Sequence, residues 1–534
     1  MSEREYIVTL NRNVDYEAFD AEMVSTTGSG AIPQRSLDIV NARPGSKRNT
    51  HYMLTDEEAE TLRSDPRVMG VEIPPDQRDD IQIGLRATQD GNFGKPGSST
   101  ADFINWGLRR MNETINPYGT GATISGGYNY TLDGTGVDVV IQDSGIQSDH
   151  PDFNDANGVS RVQEIDWYQE SGLPGIQSAN HYRDFDGHGT HCAGIAAGRT
   201  YGWAKNARIY SVKVSGLEGT GDSGTGISTS DCFDVIKLWH RNKPIDPATG
   251  AKRPTVVNMS WGYGGFYQFD ANSGHSIEYR GISYTGTDVD TALERQALGL
   301  PTNSSQGSFN GATYYRYNSR IASVDADIQE LIDEGIHVCI AAGNNYHKVD
   351  VVGGTDYDNR ANCNTYNFTT GTFNPGSFFM HRGSSPQDDE AFIVGNIDSF
   401  STPGSGIDRK LPSSETGPAV NIYAPGTNIV STTSTTNRFS DGPYPGNTAY
   451  RICNISGTSM AAPQVAGLIS LYCQLNPAST PAEVRQYVFD NASNQVYTTG
   501  NDDDYGDARS ILGGPQRFAF NKFNSPIQLT IGSS

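Results

Sequence analysis

Short apolar runs of strand length recur along the chain at 137–141, 209–214, 256–259, 336–340, 392–394 and 420–423, separated by polar and glycine-rich stretches. Runs this short and uniformly apolar predict strands buried on both faces, as in a parallel sheet. Between them lie helical patterns: the stretch from His188, residues 232–239, and 324–332 with Val324, Ile328, Leu331 and Ile332 on one face. A longer apolar helix is predicted over 460–475, with Pro463 near the first turn, where a missing N–H does least damage. Strand and helix alternation predicts an α/β fold, a mostly parallel sheet between helical layers. Ligands in such folds bind outside the carboxyl ends of the strands.

The first 75 residues follow a different rhythm. Strands are expected at 6–10, 36–41, 51–54 and 68–73, and a helix at 15–23. Thr55 followed by Glu58 is a capping-box pattern that opens a second helix, which ends at Asp65-Pro66. That order predicts a small α+β domain. Residues 76–102, rich in Asp, Gly, Ser and Pro, read as a linker, and after 496 the chain turns polar and irregular.

Composition narrows the function classes. A net charge of −22 over 534 residues argues against nucleic acid as a partner, because neutralising phosphates needs a basic surface. No run of 18 apolar residues offers a membrane span. Met1-Ser-Glu-Arg runs into the first strand without a basic region and apolar stretch. Three expectations stand side by side: a trimmed secreted protein, an intracellular protein, or one carried in a particle such as a virion. Of six cysteines, Cys192, Cys339 and Cys473 sit in apolar contexts and read as buried thiols, whereas a pair among Cys232, Cys363 and Cys453 is open to bridging. Acidic loops at 356–359 and 501–504 raise the question of calcium, but neither has ligand spacing that assigns it. Solvated charge is the favoured reading, no metal ligand is named, and no cofactor is required.

Three motifs carry chemistry: Asp143-Ser-Gly, His188-Gly-Thr-His-Cys-Ala-Gly and Gly457-Thr-Ser459-Met-Ala-Ala-Pro. A serine hydroxyl becomes a nucleophile when an imidazole takes its proton and a carboxylate orients and stabilises that imidazole. Each motif alone has a plainer reading. Asp143 can be a turn residue, His188 and His191 part of a metal site, and Ser459 an N-cap. Together, in the order acid, base, nucleophile, they form one constellation. Ala461 stands where a Gly-x-Ser-x-Gly elbow needs its last glycine, so a lipase-type site is excluded.

These motifs resemble the subtilase family of serine endopeptidases. Trp106-Gly-Leu, Asp186-Gly-His-Gly-Thr-His-Cys192-Ala-Gly and Arg199-Thr-Tyr-Gly-Trp-Ala-Lys205 point to its proteinase K-like branch, with the likeness running over most of 103–495. The resemblance implies a subtilisin-like three-layer fold, polypeptide substrates and a triad of Asp143, His188 and Ser459. It further implies that Asn344 in Ala341-Ala-Gly343-Asn344 stabilises the oxyanion, with Asn345 a minor competitor. Gly343 and the segment ending in Ser260, Trp261 and Gly262 bind substrate as an added strand, and the loop 216–226 supplies a second edge. Cys192 matches a free thiol near the triad, which suggests sensitivity to thiol reagents. Leu54-Thr-Asp-Glu-Glu-Ala and Asp65-Pro-Arg-Val resemble the ferredoxin-like propeptide inhibitor of the family, which makes residues 1–75 an intramolecular partner and 76–102 the place of self-cleavage. Stretches near 264–320 and 346–390 exceed the family pattern and read as insertions. A second expectation is a structural or interaction protein on this scaffold, with its propeptide retained and little activity.

Overall fold

The computed structural model describes residues 3–25, 36–85, 88–89, 105–114, 116, 130–214, 216–222, 224, 227–401, 406–498 and 504–522. Its centre is an eight-stranded sheet in the order Asp408–Lys410, Phe392–Ser401, His337–Ala341, Thr255–Met259, Asp138–Asp143, Arg208–Lys213, Val162–Gln163, with Ile422–Pro425 also beside Phe392–Ser401. Every pairing is parallel except that of the outermost Asp408–Lys410. The apolar run at 420–423 enters the sheet two residues late, because the Val420 N–H closes a turn onto the Gly417 carbonyl. The helices His188–Ala197 and Thr458–Leu475 pack together on this sheet, and Thr229–Asn242 packs with Ala322–Asp333 as the other helical layer. This is the expected subtilisin-like three-layer α/β arrangement. Among the described residues, no helix is long and apolar enough to cross a membrane.

The amino-terminal unit has four antiparallel strands in the order Ile39–Asn41, Asn49–Leu54, Arg4–Leu10, Val68–Glu72. Its helices begin where short polar side chains accept backbone N–H groups: Asp15 before Tyr16–Val24, and the Thr55/Glu58 capping box before Asp56–Arg63. Tyr6, Val8, Phe19, Tyr52, Leu54 and Leu62 form its core. The unit docks on the helical layer Thr229–Asn242 and Ala322–Asp333. There Arg43, fully buried, donates to both Asp234 and Asp327 at 2.8 Å, and Glu72 accepts the Ala322 N–H at 2.6 Å.

The stretches near 264–320 and 346–390 fold together. They build a second, antiparallel sheet, ordered Ile282–Thr285, Ser276–Tyr279, Arg360–Asn367, Trp261–Gln268, Ala312–Asn318, Ser305–Phe309, with Thr372–Phe379 beside Arg360–Asn367. Tyr267, Ile277, Tyr317 and Phe378 give this sheet its own core. The stretch that reads as polar tail also contributes: Ile511 and Phe518 are buried in the main core, and Phe518 pairs with Ser493.

Candidate active site

Asp143 ends its strand and His188 opens its helix, both wholly buried, and His188 Nδ1 lies 2.8 Å from Asp143 Oδ1. The carboxylate can only accept, so Nδ1 carries the proton and Nε2 is left as the basic nitrogen. Nε2 has no hydrogen-bond partner among the described residues. The turn before the helix uses Gly187 at φ +96°, where a Cβ would strike Asn437 and Thr433 at 2.5 Å. Asp184, which sequence reasoning missed, ties this region together. Its carboxylate accepts from the Ser144 hydroxyl at 3.0 Å, from the Gly187 N–H at 2.8 Å and from the Thr190 N–H at 2.9 Å. His191 turns away to the Cys453 carbonyl at 3.2 Å, and burial pushes it down to about 3, so it stays neutral and takes no part.

Ser459 is the second residue of the helix Thr458–Leu475, where backbone N–H groups lack intrahelical partners and the dipole is positive. Its hydroxyl donates to the Ser260 carbonyl at 2.9 Å. Pro463 sits in the second turn rather than the first, and its missing N–H has a consequence. The Ser459 carbonyl that it would have bonded accepts the Ser260 hydroxyl at 3.0 Å and the Cys192 thiol at 3.4 Å. The helix end is thereby held to the cleft strand. Asn344 is oriented by Thr458, whose N–H donates to Asn344 Oδ1 at 3.0 Å while its hydroxyl accepts the Gly343 N–H at 3.1 Å. With Oδ1 so engaged, the amide NH₂ of Asn344 is directed elsewhere. Asn345 donates to Asn318 Oδ1 at 3.2 Å, which leaves Asn344 the better match to an oxyanion donor.

The cleft strand Trp261–Gln268 is paired with an extended segment of the chain itself. Gln82–Leu85 runs antiparallel to it, Leu85 opposite Trp261 and Gly84 opposite Gly262. Trp261 has its side chain buried and contributes backbone, and Gly262 lines the cleft. On the far side, Thr88–Gln89 pairs with Ser456 and Ile455, just before Ser459. Gly216 of the expected second edge abuts this segment, a Cβ on it falling 2.5 Å from Ile83, whereas residues 215, 223, 225 and 226 lie outside the described residues. A cavity of about 390 Å³ opens beside the segment, lined by Gly262, Gly264, Asn318, Gly343, Asn344 and Asn345 among others.

All six cysteines are buried, free thiols. Burial pushes the Cys192 thiol well above its ordinary value, which disfavours the reactive thiolate. The acidic loop at 356–359 does not fit a calcium ion: the Asp356 carboxylate lies 2.7 Å from both Arg280 and Lys348, and Asp358 pairs with Arg382 at 2.5 Å. Of 501–504, only Asp504 falls within the described residues.

The family model described as "Subtilase family" matches residues 134–508. An extracellular serine proteinase from Thermus sp. (strain Rt41A) is 25% identical over 492 residues, which is 90% of this chain and 82% of that protein. Proteinase R of Parengyodontium album is 27% identical over 73% of this chain and 65% of its own length. Alkaline serine exoprotease A of Vibrio alginolyticus is 24% identical over 82% of this chain, which spans 54% of that protein. The crystal structure of a cold-adapted subtilisin-like serine proteinase aligns with a TM-score of 0.44 at 22% identity, over 78% of this chain and 98% of that one.

Proposed function

This chain belongs to the subtilase family of serine proteases, and we propose that it is an endopeptidase made as a precursor whose amino-terminal unit docks on the catalytic body and feeds its tail through the cleft. The observation that carries this reading is the pairing on both sides of the nucleophile: Gln82–Leu85 on the cleft strand, Thr88–Gln89 on Ser456 and Ile455. A peptide held this way reaches Ser459 extended, by strand addition.

Hydrolysis then runs through named groups. The Ser459 hydroxyl rotates from the Ser260 carbonyl toward His188, gives its proton to Nε2, and its oxygen attacks the scissile carbonyl. Asp143 holds the imidazolium that forms. The oxyanion takes hydrogen bonds from the Asn344 amide and the Ser459 N–H. His188 returns the proton to the leaving amine as the C–N bond breaks. Water then attacks the acyl-enzyme with His188 again as base, releasing the acid and restoring the serine. The alternative of an inactive scaffold has no observation in its favour, since every group this sequence of steps needs is present.

Intact mass of the wild type beside Ser459→Ala, after a fluorophosphonate probe, tests the proposal. The expected result is loss of the amino-terminal unit and one probe adduct in the wild type, with neither in the variant. Full-length, unlabelled protein in both cases would overturn it.

A further inference from the structure

The second sheet decides where a peptide added to the cleft strand must leave it. Gln82–Leu85 lies along one edge of Trp261–Gln268, from Leu85 opposite Trp261 to Gln82 opposite Gly264. Ala312–Asn318 runs along the other edge, pairing with Gly264 and Tyr267 alike. Beyond Gly264 the first edge is already taken, because Tyr267 pairs there with Thr365 and Gln268 with Asn364 of Arg360–Asn367. Strand addition is therefore confined to Trp261–Gly264.

At the point of exit the chain's own tail is held by its main chain. The Asp80 carbonyl accepts the Tyr317 hydroxyl at 3.0 Å, and the Asp79 carbonyl accepts the Phe368 N–H at 2.8 Å. Gly265 faces the same corner, where a Cβ would fall 2.6 Å from the Asp80 carbonyl oxygen. The Tyr317 ring is buried in the core of the second sheet and stacked on Phe378, centroids 4.6 Å apart, which makes its hydroxyl a fixed donor. Asn367 adds an exposed side-chain contact, donating to Asp79 Oδ2 at 2.6 Å. We infer that this corner of the second sheet is a distal substrate subsite: Tyr317, Gly265 and the Phe368 N–H hold the main chain of a bound polypeptide five and six residues before the one opposite Trp261. Resting on the proposed endopeptidase activity, it deepens that reading. Main-chain carbonyls are common to every polypeptide, and antiparallel pairing on Trp261–Gly264 sends the amino-terminal side of any added peptide toward Gly265. The favoured substrate is thus an extended segment about seven residues long or more on that side, roughly 23 Å of chain, whereas a short peptide fills the strand edge alone.

Two peptides of the chain's own sequence, 79–89 and 81–89, test this, since they differ by Asp79 and Asp80 alone. Each is given to the matured wild type and to Tyr317→Phe, which keeps the stacked ring and removes the hydroxyl. Cleavage is followed by mass spectrometry, with fluorophosphonate labelling as the control for a working triad. In the wild type, kcat/KM is expected to be about tenfold higher for the longer peptide, the worth of two net hydrogen bonds. Tyr317→Phe should shrink that ratio by about threefold, the worth of one. Asp79→Ala and Asp80→Ala together in the longer peptide should leave the ratio within about threefold of its value, because carbonyls rather than side chains are read. Should Tyr317→Phe fail to fold, the wild-type ratio and its survival with the alanine peptide decide. A labelled wild type that treats the two lengths alike, cleaving both equally or neither, would overturn the inference and leave the activity standing, as would loss of the advantage with the alanine peptide. An unlabelled, inactive wild type would remove both.

Discussion

Asn344 works through Thr458, since its carbonyl oxygen is taken by that residue's N–H and hydroxyl and its amide is thereby aimed. On the proposed mechanism, replacing Asn344 by Ala removes one oxyanion donor. Steady-state kinetics on the matured enzyme should show kcat lowered by about 100- to 1,000-fold, equivalent to roughly 3–4 kcal/mol, with KM nearly unchanged. A large rise in KM instead would make Asn344 a ground-state binding residue. Asp143, His188 and Ser459 were legible because each carries a local motif and their order along the chain is informative. Asp184 was not, because its role arises only when segments from different elements meet. The Ser459 hydroxyl bond to Ser260 has the same origin, coming from two residues 199 positions apart.

Elements were legible where their punctuation is local. Thr55 and Glu58 announce a helix and close its capping box as read, and the six apolar runs all become strands. The helix Ala322–Asp333 lacks such a signal: Ile321 precedes it without a side-chain cap, and Glu72 of the docked unit supplies the missing acceptor to Ala322 and, at 3.4 Å, to Ser323. The cap thus exists only in the docked state. Loss of an N-terminal cap costs about 0.5–2 kcal/mol. In a Ser459→Ala background, Glu72→Ala should therefore shift urea unfolding to lower denaturant by that amount. Burial pushes the Glu72 carboxyl upward, so Glu72→Gln, which keeps an acceptor oxygen, should cost less than Ala. Equal losses for the two would mean that charge, not the acceptor, holds the helix end.

At the scale of the whole molecule, the parallel core was readable and the second sheet was not. Strands such as Trp261–Gln268 and Ala312–Asn318 mix glycine, tyrosine and serine without clean alternation, and their register is set by partners far along the chain. Folding also fixes the proton balance of the molecule in a way composition conceals. Burial pushes Lys410 down to about 7, and Lys205 and Lys243 to about 8, against 10.5 when unfolded. Below 10.5 the unfolded chain binds protons that these folded amines resist, so their contribution is complete above 10.5 and is lost as pH falls toward the folded values. Stability of the Ser459→Ala protein should therefore rise between pH 7.5 and 8.5, by up to about 1.4 kcal/mol per pH unit from Lys410 alone. Higher pH brings an opposing effect, because burial holds thiols such as Cys363 and Cys453 well above their ordinary value and the unfolded chain releases their protons first. That confines the comparison to the narrow window. Lys410→Met removes the titrating amine, so its urea midpoint should climb less over the same unit of pH. An identical slope in the two proteins would mean that Lys410 keeps its charge in the fold, with the carbonyls of Leu411, Pro412, Ser414 and Ala508 solvating the ammonium as well as water does.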